Sequence, residues 1–332
     1  MLFFARVAPA LLAASSLVQA ASLSIRNNDD FFAAFINALE GHNLTHVADS
    51  YKKSVESNEG QANIQLLKSG EDFTILAPKD GAFDPKYPIL DLDVLQYDQL
   101  WGSVDNRFKT SDHSRRDAPS QSHETAPSTF PRRSNTGNGK RTQDLSQYQV
   151  QVIDQFFSPA GWKRWFEDRI IFVDRPVGNA KVVDRFTFKN IIILIIDDVL
   201  TLPVKVSELL CKPLIKYAPD GFPKFKAALE KAGVLDLVDT KDKLTIFVPV
   251  DSDCDYDGII KNHFFFGKIV FGPLFPSVGS ATAQSGKKLE FSFENDIHYV
   301  SCGKDTRAVV LRNDVIPQNG VMHIIDRPLK CD

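Results

Sequence analysis

The apolar positions of this chain fall into short, sharply bounded groups, and the same groups occur twice. In Phe32–Glu40 (FAAFINALE) the residues Phe32, Phe35 and Leu39 recur at helical spacing, and Phe222–Glu230 (FPKFKAALE) repeats the pattern, so each stretch is predicted to be an amphipathic helix. Two β-prone runs, Phe73–Pro78 (FTILAP) and Leu244–Pro249 (LTIFVP), stop at proline and are predicted strands. A third pair, NIIILIID (Asn190–Asp197) and NGVMHIID (Asn319–Asp326), reads as strand buried on at least one side. Between Gly286 and Cys302 the sequence predicts two strands joined by a turn near Glu294, Asn295 and Asp296. Three matching groups in one order make an internal repeat.

The spacing between copies shrinks from the first group to the third, so the first copy carries two insertions. The smaller fits the polar segment Lys52–Asn63. The larger matches Ser103–Asp144, rich in Ser, Thr, Pro, Arg and Asn and nearly free of aliphatic residues. Such a composition buries too little surface to offset the entropy of ordering, so this segment is expected to be a disordered loop. Its dibasic pairs, Arg115-Arg116, Arg132-Arg133 and Lys140-Arg141, are expected to be solvated, with proteolytic processing as the alternative.

At 332 residues with 43% apolar content and 25 phenylalanines, the chain has material for two modest cores. A net charge of −3 provides no basic field for a phosphate backbone, which argues against a nucleic-acid partner. Residues 1–20 (MLFFARVAPALLAASSLVQA) combine an early cation, an apolar stretch and small residues near Ala20, the pattern of a secretory signal. Beyond it the longest apolar run is Ile191–Ile196, far short of the roughly 18 residues a membrane span needs, and the ending PLKCD lacks a lipid-anchor signal. A secreted, extracellular chain with four cysteines is expected to form disulfides; Cys211 with Cys331 and Cys254 with Cys302 is the favoured pairing among three.

The run VPVDSDCDYDG (Val248–Gly258) resembles the start of a calcium loop at Asp253, Asp255, Asp257 and Gly258. It fails further on, because the ninth and twelfth positions are Lys261 and Phe264 where a glutamate should complete the shell. No metal or cofactor is expected. Motifs for a nucleophile elbow, a zinc protease, a phosphate loop and a dinucleotide site are absent from the sequence, and His123-Glu124 falls in the insertion, where nothing is expected to hold ligands.

FTILAPKDGAF and LTIFVPVD resemble the first signature of fasciclin domains, and NGVMHIIDRPL (Asn319–Leu329) resembles the second, matching at Asn319, Gly320, His323, Ile325, Asp326 and Leu329. The resemblance covers nearly all of Leu209–Cys331. The first copy has Leu194 in place of His323 and Ile191 in place of Gly320, and rests on its first signature, helix match and register. The resemblance implies an α+β fold of two fasciclin-like modules, each a twisted β-sandwich wedge with flanking short helices, as in tandem secreted proteins of fungal type. The domains are placed at about residues 26–203, degenerate and interrupted by 103–144, and 206–332.

The signature residues Pro78, Asp80, Pro249, Asp251, His263, Asn319, Gly320, His323 and Asp326 are read as structural, since a histidine in a buried strand is ordinarily a satisfied core residue. Some fasciclin modules use a Tyr-His pair for receptor binding, which this chain splits into Tyr97-Asp98 and Asn262-His263. Tyr97 and His263 are therefore candidates for a contact surface, and so is Phe265, because the consecutive aromatics Phe264, Phe265 and Phe266 cannot all face one core from a strand. Asn43-Leu44-Thr45 is the N-glycosylation sequon. The implied role is non-catalytic adhesion or cell-wall association with an extracellular protein or polysaccharide. A carrier of an apolar small molecule or lipid, or an unrecognised secreted enzyme, is the alternative.

Overall fold

Each half of the chain places short helices ahead of a strand that ends at proline. In the computed structural model, residues 30–104, 121–132, 147–157, 169–251, 254–304 and 306–331 are described. The expected secretory signal at residues 1–20, the pairs Arg115-Arg116 and Lys140-Arg141, Arg133 and Asp253 lie outside them. Helices α1 (Asp30–Gly41), α2 (Thr45–Ser54) and α3 (Asn58–Leu67) precede β1 (Phe73–Pro78). Helix α4 (Leu92–Tyr97) leads into β2 (Gln99–Trp101), then β3 (Gln121–Pro131), β4 (Tyr148–Phe157), β5 (Arg169–Asp174), β6 (Asn179–Phe188) and β7 (Ile191–Ile196). These seven strands close into a barrel in sequence order, with β7 parallel to β1.

The second half has α5 (Val206–Leu209), α6 (Pro223–Lys231) and α7 (Leu235–Thr240) before β8 (Leu244–Pro249). Then come β9 (Phe264–Phe265), α8 (Phe275–Val278), β10 (Ser280–Thr282), β11 (Lys288–Glu294), β12 (Ile297–Cys302), β13 (Thr306–Val315) and β14 (Gly320–Ile325). Its seven-stranded sheet runs β10-β11-β12-β13-β14-β8-β9 and stays open. The fold is α+β, two seven-stranded sheets each served by short helices.

The repeat read from the sequence is visible in the register. Phe73 opposes Ile191 in the parallel pair β1–β7, and Leu244 opposes Gly320 in β8–β14. Alternation along β1 sends Phe73, Ile75 and Ala77 to the helices and Leu76 to the barrel interior, so the strand is buried on both faces. In β8, Leu244, Ile246 and Val248 face the helices while Phe247 faces the second core with Phe275, Phe291 and Val300. Continuous apolar runs, rather than polar alternation, follow from that double burial.

The helix correspondence differs from the sequence match. Asp251 accepts the backbone N–H groups of Lys224 (2.9 Å) and Phe225 (3.2 Å) at the start of α6. Asp80 accepts those of Thr45 (3.1 Å) and His46 (3.0 Å) at the start of α2. The helix standing where α6 stands is therefore α2, although α1 carries the sequence likeness. Part of that likeness is a shared C-terminal turn: Leu44 N–H bonds Leu39 O and Val234 N–H bonds Leu229 O, each at 3.0 Å, through Asn43 and Gly233 at positive φ.

Two further expectations change. Residues 121–131, inside the segment expected to be disordered, form β3, paired with β4 from Gln121↔Phe156 to Pro131↔Tyr148. Hydroxyl groups replace the missing aliphatic surface: Ser128 Oγ donates to Gln149 O and Thr129 Oγ1 to Gln96 O. Arg132, half of one dibasic pair, is buried, its N–H bonded to Gln147 O. The disulfide joins Cys302 to Cys331 with Cα atoms 5.0 Å apart, while Cys211 and Cys254 are free thiols. The end of β12 lies beside the last residues, where Thr306 Oγ1 also donates to Lys330 O, which excludes the pairing favoured from spacing.

Candidate functional site

The signature residues are the first place to look for chemistry, and each is occupied by the scaffold. Asn319 Nδ2 donates to Val238 O and Lys241 O, both at 2.8 Å, tying the start of β14 to the end of α7. Its carbonyl accepts from Leu244 N, as Asn190 O does from Phe73 N. A Cβ on Gly320 would lie 2.0 Å from Leu244 O, so only glycine permits that approach. Asp326 Oδ1 accepts Val309 N–H at 2.8 Å, and Asp197 Oδ1 accepts Lys181 N–H at 2.7 Å, one relation in two copies. Pro78 and Pro249 end the strands, after which Lys79 N–H bonds Ile196 O and Val250 N–H bonds Ile325 O.

His323 is fully buried and lies stacked on Phe247. Its Nε2 faces Val270 O at 2.9 Å and its Nδ1 accepts Asp314 N–H at 3.4 Å, which selects the neutral Nε2–H form. Burial pushes this imidazole below the usual range against the opposing charge of Asp314. His263 is also fully buried: Nδ1 meets Ile259 O at 3.1 Å, and Nε2 accepts Leu329 N–H at 3.0 Å. Burial lowers it to about 4.

Tyr97 and Phe265 are buried as well. All three contact candidates thus sit inside the protein: Tyr97 Oη donates to Val150 O, and Phe265 packs near Phe291. A two-residue strand pairing with β8 turns Phe264 and Phe265 to opposite cores, and the half-buried Phe266 is covered by the Lys241 ammonium 4.6 Å from its ring. Among the described residues the most exposed large hydrophobic side chains are instead Tyr87 (74%) and Tyr217 (80%), one in each half. Asn43 is exposed, with the Thr45 hydroxyl of its sequon donating to Asp80 at 2.5 Å.

Two features escaped the sequence reading. One is a pair of buried threonines: Thr74 Oγ1 donates to Gly102 O and accepts Val104 N–H, and Thr245 Oγ1 donates to Lys268 O and accepts Val270 N–H. The signal was present, a lone hydroxyl second in each otherwise apolar box. The other is a charged cluster where the halves meet. His123 Nδ1–H donates to Asp154 at 2.7 Å and its Nε2–H to Asp314 at 2.9 Å. Arg312 reaches both oxygens of Asp174 at 2.9 and 3.2 Å.

Burial pushes His123 down, but its hydrogen bonds to Asp154 and Asp314 outweigh it and raise the imidazole to about 10. Burial likewise raises Asp314, but the bond and charge of His123 hold it below the carboxylate range. The cluster contains no nucleophile beside a base. No group of three or more His, Cys, Asp or Glu suited to a metal ion occurs among the described residues. The adjoining crevice, lined by Tyr97, Arg175, Leu202 and Ile316 among others, has a volume of about 30 Å³, room for water rather than a lipid. A second hollow of about 310 Å³ between Lys53, Glu56 and Leu92 is open and half polar.

Comparison with known proteins places the second half. The family model for the fasciclin domain matches residues 220–331. No curated protein matches the chain. A solved FAS1 domain pair from the insect cell adhesion molecule fasciclin I is similar at 17% identity and a TM-score of 0.37, over 86% of this chain and 97% of that one.

Proposed function

We propose, from the match of residues 220–331 to the fasciclin-domain family model, that the chain is a secreted, non-catalytic protein that works through the surfaces of its two halves. Its role is adhesion or association with extracellular matrix or cell wall. The supporting observation is what the signature side chains do: Asp251, Asn319, His323 and Asp326 all hold one backbone segment to another. Groups so engaged are not available to a substrate. Among the described residues no helix is long and apolar enough to cross a membrane. The partner is an extracellular protein or polysaccharide.

Retention of the purified chain on isolated cell-wall and matrix fractions tests the reading. Saturable binding at micromolar concentration, unchanged by chelator, is expected. A chain that washes through every fraction, or that turns over a broad panel of ester and glycoside substrates, sinks it.

A further inference from the structure

The two halves differ where they touch. By its place in the sheet, β3 corresponds to β10, since each flanks the first strand of a four-strand antiparallel run; β10 has 3 residues and β3 has 11. The extra length of β3, with β4 beside it, reaches the second half. Val150 and Val152 of β4 form one apolar cluster with Ile316 and Val321, against which Ile269 and Phe271 also pack. Gln149 Nε2 donates to Gln318 O.

The ionic contacts arise from a second irregularity. Strand β13 loses register with β14 between Val310 and Arg312 and again between Arg312 and Val315, and Asp314 stands at φ 56°. Bulges re-aim side chains, and here Arg312 and Asp314 both point out of their own sheet at the first half. Arg312 binds Asp174 and the carbonyls of Arg175, Pro176 and Leu214. Asp314 accepts Gly272 N–H on its own side and His123 from across the junction.

We propose that the β3–β4 hairpin is a docking arm that locks the two domains into one body, with an apolar patch for adhesion and, for register, its Asp154–His123–Asp314 contact beside the Arg312–Asp174 contact at the end of β5. Buried charges in such a junction exclude misaligned arrangements, because any slip leaves a carboxylate unpaired in a dry site. The node is wired into the second core: the backbone N–H of Asp314 donates to His323 Nδ1. Facing groups complete the electrostatics, with His298 held neutral beside Asn313 and Arg175 paired to Asp198. The docked pair presents its outer faces to a partner at fixed spacing.

Trp101 lies in β2 and the second half contains no tryptophan, so fluorescence carries no signal from the second half, which hydrogen exchange of residues 320–325 follows instead. In the unaltered full chain both probes should give one urea midpoint. In a His123→Ala, Arg312→Ala double variant the midpoints should separate, and exchange at Val150, Ile316 and Val321 should quicken at least tenfold. Separate midpoints in the unaltered chain, or coincident ones in a folded variant, overturn the proposal. Independently of any variant, imidazole NMR of the full chain should find His123 doubly protonated at pH 8 with His263, His298 and His323 neutral. A His123 that titrates near 6.5, as in free solution, overturns it too.

Discussion

Asp98 occupies in the first half the register position that His263 occupies in the second: each immediately precedes the strand that pairs with the opening strand of its half, Ile75 opposing Gln99 and Ile246 opposing Phe264. The exchange is not neutral. His263 meets a carbonyl and a backbone N–H, whereas both carboxyl oxygens of Asp98 are buried with no partner among the described residues. Burial raises Asp98 well above the usual carboxylate range, and the hydroxyl of Tyr51 in the same region is also unpartnered.

A carboxyl that keeps its proton in the fold and loses it near 3.9 when unfolded makes stability fall as pH rises, by up to about 1.4 kcal/mol per unit until the folded group ionises. Asp98→Asn removes that term. Urea unfolding of both proteins between pH 5 and 8 should show the variant gaining on the parent as pH increases; a constant difference contradicts the assignment.

His263 acts in the opposite direction. Its folded value of about 4 lies below the free value of about 6.5, so the stability tied to its neutral form is complete above 6.5 and is lost as pH falls toward 4. The loss is on the order of 3 kcal/mol. Hydrogen exchange in β8 and β14 measured from pH 7 to pH 4 should reveal it, and a His263→Gln variant should lack most of the dependence.

Thr74 and Thr245 each connect a central strand to the segment that crosses after the next strand. Replacing either by Val preserves shape but leaves a buried carbonyl and N–H unpaired, at a cost of about 1–3 kcal/mol. The urea midpoint should drop with an unchanged slope. Equal stability of parent and variant is the contrary result.

How much of this was legible beforehand depended on the range of the forces involved. The boxes at Phe73, Leu244 and Asn319 were readable because double burial and a stopping proline leave a local mark. The β3 strand was not, since its order comes from pairing with β4 and from hydroxyl bonds to Gln149 O and Gln96 O, partners outside its own segment. His123 looked idle in a polar loop because its partners, Asp154 and Asp314, are remote in sequence. The helix match misled for another reason: α1 and α6 share a spacing and a C-terminal turn, but the carboxylate that positions a helix in the fold sits after β1, beyond any local comparison.

The cysteines make the same point and give a further test. Four cysteines left three pairings open, and only the approach of β12 to the chain end selects Cys302–Cys331. Alkylation without reductant should label Cys211 and Cys254 alone. Opening the bridge, which spans a sequence separation of 29, with Cys302→Ser and Cys331→Ser should cost about 3–4 kcal/mol on the loop-entropy scale.

The parallel pairs β1–β7 and β8–β14 join the strand that opens each half to the one that finishes it. Neither half can therefore close while its final segment is still within the ribosome. Until that segment emerges, β1 or β8 waits with an unmatched flank, and assembly is slowed by the long stretch of chain that must be gathered first. Synthesis order, and not only sequence, thus decides when this protein is most exposed to mispairing.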